Sequence, residues 1–237
     1  MLKTKLEYSI KSVKLNKDHW AVKLFCLFLA TDIAFIVLHV VFSHGALTSN
    51  VNFSLEKDRG YSEIVQYVKE YWSALLLGFL AIQASSLLFL SWSGLFFYLL
   101  LDDSLRIHER LGSFISKEFS LSPIFGLRAI DLGELTVSAL VGLFFLIAIA
   151  ISYRWGDRFS KKVSKSLIKL LFALAFFGLV VDMLHIGLSN LPLVGRFFDR
   201  LLGIVEDGGE LVVMSLIVCF LFSLPSQSKQ LSNKLIE

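Results

Sequence analysis

Asp182 and His185 stand three residues apart in "LVVDMLHIGL", so a helix through this stretch carries a carboxylate and an imidazole on one face of an apolar segment. A lone charge there is costly, and the pair suits either a mutual hydrogen bond or a shared divalent cation. Two other stretches, "DLGELTVSALVG" from Asp131 and "DGGELVVMSLIV" from Asp207, repeat one acidic phrase 76 residues apart. They agree at Asp131/Asp207, Gly133/Gly209, Glu134/Glu210, Leu135/Leu211, Val137/Val213 and Leu140/Leu216. Helical spacing pairs Asp131 with Glu134, Asp207 with Glu210, and Glu206 with Glu210. A histidine precedes each phrase, His108 by 23 residues and His185 by 22.

Carboxylates and imidazoles at these spacings are the donors from which helical bundles build divalent-metal sites. The candidate ligands are His108, Glu134, Asp182, His185 and Glu210. Glu109, Asp131 and Asp207 are candidate catalytic bases or groups that orient the ligands. Such donors accept Zn, Fe, Mn, Mg or Ca and do not select among them.

Plainer roles compete at each position. Acids at a helix N-terminus meet the positive end of the dipole and cap free N–H groups, which accounts for Asp131, Glu206 and Asp207 without any reaction. It accounts less well for Glu134 and Glu210, one turn deeper. Asp102, Arg106 and Glu109 form a ladder that reads as surface ion pairing. Asp32, in "FLATDIAFIV", is either a proton-handling group or a neutral acid bonded to a neighbouring helix. His39 and His44 read as interfacial polar residues.

The elements that carry these groups follow from composition. Of 237 residues 55% are hydrophobic and 22 are Phe, against 18% charged, as in a multi-pass membrane protein. The net charge of +3 is small and scattered, which excludes a nucleic-acid surface. Cys26 and Cys219 lie in apolar stretches and imply no disulfide framework. There is no Gly-x-Ser-x-Gly elbow, His-Glu-x-x-His helix or Cys-x-x-Cys pair.

Apolar segments at 20–42, 133–152, 167–188 and 209–224 each suffice for one crossing. Residues 72–101 would make a single helix of about 45 Å, too long for a hydrocarbon core of about 30 Å. The alternative is a hairpin that starts near Ile64, breaks at 83–86 and resumes at Leu87. Six crossings put 14 Lys and Arg on the N-terminal side against 9 on the other, whereas five give 12 against 11. In the six-crossing arrangement 15 of the 20 acids fall on the exoplasmic side.

The expected fold is therefore an all-α polytopic membrane protein with six transmembrane helices and both termini cytoplasmic. A basic segment 1–19 precedes two helices in 20–86 with an exoplasmic loop 44–63. Repeat unit one (87–152), a basic cytoplasmic loop (153–166), repeat unit two (167–224) and a tail (225–237) follow. Two helix hairpins of equal orientation form a parallel repeat and a four-helix core, which gathers the acidic phrases at the exoplasmic face.

Three functions compete: a metal-dependent hydrolase acting on a lipid or amphiphile, a proton- or cation-coupled transporter, and a structural or assembly subunit. The grouping of Asp and His at one membrane face resembles the ceramidase-like membrane hydrolases. That family carries three zinc-binding histidines, of which only His108 and His185 have counterparts here, so no role is transferred. The expected partners are the bilayer and an amphiphilic substrate, and the composition matches a bacterial inner-membrane protein.

Overall fold

The computed structural model describes residues 19–43, 50–124, 126–189 and 196–236, so the basic segment 1–18 and His44 lie outside it. The chain forms α1 (His19–Ser43), α2 (Tyr61–Ala84), α3 (Leu87–Leu105), α4 (Ile107–Glu118), α5 (Ala129–Trp155), α6 (Arg158–Ala175), α7 (Asp182–Ser189) and α8 (Arg196–Ile236). A π-helical turn, Phe176–Val181, joins α6 to α7, and the described residues contain no β-strand. Five stretches are long and apolar enough to cross a membrane: Trp20–Ser43, Leu87–Leu105, Ala129–Trp155, Arg158–Leu188 and Phe198–Leu224. The 24-residue α2 falls outside this set, since it carries Glu63, Lys69 and Glu70.

Two serines divide the long apolar stretch after Trp72. Ser85 adopts the left-handed conformation (φ 46°) and closes α2, while Ser86 caps α3 by accepting a hydrogen bond from the Phe89 N–H at 3.5 Å. The two helices fold back on each other as a hairpin. Asp157 performs the same service for α6, accepting from the N–H groups of Phe159 (3.0 Å) and Ser160 (3.1 Å). The stretch 153–166, expected as a basic loop, is consequently helical except at Gly156 and Asp157.

One end of the bundle is solid. Leu77, Leu88, Phe89, Trp92, Phe96, Leu167 and Leu221 are fully enclosed there, and the Trp92 indole N–H donates to Ser164 Oγ at 2.9 Å. Phe89 meets Phe159 at this end, and Trp20 meets Phe222. It holds the start of α1, the α2–α3 and α5–α6 turns, and the basic residues after Arg154.

Between the two ends lies an ion pair sealed from solvent. Lys69 Nζ sits 2.5 Å from Asp32 Oδ1 and also donates to the Leu211 carbonyl at 3.0 Å; Ser215 Oγ donates to Asp32 Oδ2 at 2.5 Å. Both charged side chains are at most 1% exposed. The pair ties α1 to α2 and both to α8, and all four polar groups are satisfied.

At the opposite end α4 crosses α5 at a glycine-on-glycine contact. A Cβ built on Gly133 would lie 2.1 Å from the Gly112 carbonyl oxygen, and one built on Gly112 would lie 2.5 Å from Glu134 N. Backbone meets backbone here, so neither side can give way. Gly133→Ala is expected to cost about 1–3 kcal/mol, read as a lower midpoint of thermal unfolding in detergent micelles. Unchanged stability would mean that α4 does not dock as described. The second acidic phrase has a comparable approach, with Gly209 against the Phe177 ring and Glu210 Oε1 over Gly178.

Candidate functional site

The first cluster arises where α3 ends in two acids and the chain reverses. Arg106 takes the left-handed conformation (φ 55°), which starts α4 immediately and brings His108 back over the end of α3. Asp102 Oδ1 accepts the His108 backbone N–H at 2.8 Å, and its Oδ2 lies 3.1 Å from His108 Nδ1. Asp103 completes the group: Asp102, Asp103 and His108 each offer one ligand atom, all within 4.8 Å of one another.

Glu70 of α2 faces the same group. It is 1% exposed, its Oε2 is enclosed with no hydrogen-bond partner, and its close polar neighbour is the carboxyl of Asp103. Two carboxyl groups enclosed together need a shared proton or a cation.

The second cluster lies on α7 and α8. Glu206 Oε2 is 2.8 Å from His185 Nδ1, and Asp199 Oδ1 is 3.3 Å from His185 Nε2, so both ring nitrogens have acidic neighbours. Asp182 reaches Glu206 rather than forming a private pair with His185. A turn deeper, Glu210 Oε2 accepts from Gln66 Nε2 at 3.0 Å.

Both clusters open into one cavity of about 910 Å³. Twelve carboxylates line it, against Lys57, Arg128, His108 and His185. Towards the solid end the lining turns apolar, with Leu95, Leu99, Phe145, Leu171 and Leu174. The π-helical turn forms part of the wall through Gly178 and Leu179; π insertions of this kind are frequent at functional sites.

Most of the residues singled out in the sequence meet here. His108, Glu109, Glu134, Asp182, His185, Asp207 and Glu210 all line the cavity. Asp131 does not: it is fully buried and held by Arg128, whose backbone N–H donates to Oδ2 at 2.7 Å and whose guanidinium donates to Oδ1 at 2.7 Å. Glu109 reaches the cavity edge while paired with Arg106, which also contacts Asp58 at 3.3 Å. Asp32 is outside the cavity lining, and His39 accepts the Leu55 N–H at 3.1 Å, anchoring the chain before α2. Sequence reasoning put Asp102 on the surface and passed over Glu70, Gln66 and Asp199. The available signal for Glu70 was "YVKEYW", two adjacent charges at the start of an apolar run.

A family model described as a domain of unknown function, DUF8692, matches residues 21–224. The chain belongs to this family. The DUF8692 match takes in both clusters and the Asp32–Lys69 pair, so the family region is the helical body itself. No curated protein and no solved structure matches the chain.

The hydrogen bond and charge of Asp102 hold the His108 pKa up at about 9, against the opposing pull of burial. Because the folded value lies above the unfolded one, the stabilisation is complete below about pH 6.5 and disappears as pH rises through about 9. Because the ring is partly exposed, screening leaves a stabilisation on the order of 1–2 kcal/mol. Metal-free wild type, kept in chelator, should therefore exceed metal-free His108→Gln in thermal stability at pH 6, with the gap closing by pH 10. A gap independent of pH would mean that His108 is neutral in the fold.

Proposed function

We propose that this chain is a six-pass membrane protein that binds a divalent cation at Asp102, Asp103 and His108, and uses it in hydrolysis of an amphiphile. The observation that carries the reading is the enclosed Glu70 Oε2 beside Asp103: a buried carboxylate oxygen without a hydrogen-bond donor, next to three convergent ligand atoms, is a set that a divalent cation would satisfy. Glu70 would be the fourth donor. Three carboxylates and one imidazole suit a borderline ion such as Zn²⁺, Mn²⁺ or Fe²⁺.

A cation so held supplies a polarised or ionised water at neutral pH. Glu134, on the facing wall near His108, would accept the proton. The apolar inner lining supports an amphiphilic substrate over a soluble one. The sixth crossing is α2, whose charges are absorbed by the pair with Asp32 and by the cavity rather than exposed to lipid. Basic residues at the solid end and acids at the cavity end support cytoplasmic termini and an exoplasmic site. The Gly–Glu packing shared by the two acidic phrases supports a duplicated hairpin. A proton pathway through Asp32 has less support, because Asp32 is bonded to Lys69 and Ser215 away from the cavity.

The test is elemental analysis of purified protein by inductively coupled plasma mass spectrometry. One equivalent of a divalent ion in wild type, lost on replacing the aspartates at 102 and 103, is the expected result. Wild type that neither carries nor takes up a divalent ion removes the reading.

A further inference from the structure

The cavity is not closed on all sides. Helices α5 and α6 are joined by only Gly156 and Asp157 and both rest on α3 near that turn, but farther along they part: α5 packs on α3 and α4, and α6 packs on α8. Leu143 of α5 and Phe172 of α6 line the cavity and are also 55% and 63% exposed, so the cavity reaches the outside between these helices, within the apolar belt. Gly142 lies on that lining, and a Cβ built there would meet nothing within 4 Å.

The polar end specifies a charge. Of the twelve acidic side chains that line it, Asp58 and Glu109 are paired with Arg106, Asp102 with His108 and Glu206 with His185; the other eight, some kept protonated by burial, face only Lys57 and Arg128, and Arg128 is already held by Asp131, so the lining stays net acidic. A divalent ion at Asp102, Asp103 and His108 offsets only part of this excess, which leaves an environment hostile to phosphate or sulfate and favourable to ammonium. The volume of about 910 Å³ falls within the range of small-molecule sites and accommodates one chain with its head group.

We propose that a single-chain amphiphile with a cationic amine head group enters from the bilayer between α5 and α6, placing its chain along Leu143 and Phe172 and its amine among the carboxylates. This deepens the preceding reading, since it takes that cavity as the working site.

The test uses the full chain in lipid nanodiscs with a diazirine-bearing hexadecylamine, and maps photolabelled peptides by mass spectrometry. Labelling should fall on 139–146 and 171–175, and unlabelled hexadecylamine should suppress it at least ten-fold more effectively than hexadecanol or hexadecyl sulfate. Gly142→Trp, which puts an indole into the opening and leaves every acid in place, should reduce labelling at least ten-fold. Phe144→Trp, an outward change on the same helix, should not. If Gly142→Trp fails to fold, Ala139→Leu on the same lining is read in its place. Equal competition by the alcohol or the sulfate, or full labelling of the filled variant, overturns the proposal. Metal content of the same samples separates the two readings: bound metal without amine selectivity sinks this inference alone, and amine selectivity without metal sinks only the cation site.

Discussion

Lys69→Met is expected to destabilise the protein by about 3–5 kcal/mol, because it leaves the fully enclosed Asp32 carboxylate with Ser215 alone as donor. The cost comes from stranding a charge rather than from losing an attraction. Replacing both partners, Asp32→Leu with Lys69→Met, should therefore restore most of the stability, since two apolar side chains of similar size fill the same space. Unfolding in mixed micelles at increasing dodecyl sulfate, followed by circular dichroism, measures all three proteins. If the single variant is as stable as wild type, Asp32 is neutral in the fold and the ion pair is wrongly drawn. If the double variant is as unstable as the single one, the pair has a role in docking α8 that shape alone does not replace.

Asp102→Asn combined with Asp103→Asn should lower affinity for a divalent ion by more than about 100-fold. Changes to groups that merely orient ligands cost about 10–100-fold, and here two proposed ligands are removed. The amide keeps an oxygen that can accept the His108 backbone N–H, so the end of α3 should remain folded. The decisive comparison is with Asp182→Asn plus His185→Ala, which dismantles the other cluster and should leave metal content intact. Loss of metal in that variant alone would move the ion to α7 and α8. Titration with Mn²⁺ followed by electron paramagnetic resonance reads both variants directly.

The helical plan was accessible from residue order because the deciding forces are local. A run of 30 apolar residues exceeds one bilayer, and Ser85 and Ser86 break it where a polar pair interrupts the run. The convergence of His108, Glu134, His185 and Glu210 on one cavity likewise follows from their common placement at helix ends. What escaped was set by contacts across the chain. Asp102 resembled one rung of a surface ladder with Arg106 and Glu109, but the left-handed turn at Arg106 folds α4 back and buries Asp102 to 7% exposure. Nothing in the spacing anticipates α4, whose position depends on Gly112 meeting Gly133. Glu70 belongs to the cavity and Lys69 to Asp32 because α2 lies between them, and no periodicity assigns either partner.

The sealed ion pair also constrains how the chain can be received by a membrane during synthesis. Asp32 and its counter-ion are 37 residues apart on the first two helices, so this opening hairpin can neutralise itself soon after emerging from the insertion machinery. Ser215 and the Leu211 carbonyl arrive only with the last helix. Until then Asp32 lacks the Ser215 donor and Lys69 lacks the Leu211 acceptor. The bonding of the buried pair is thus complete only once α8 is in place.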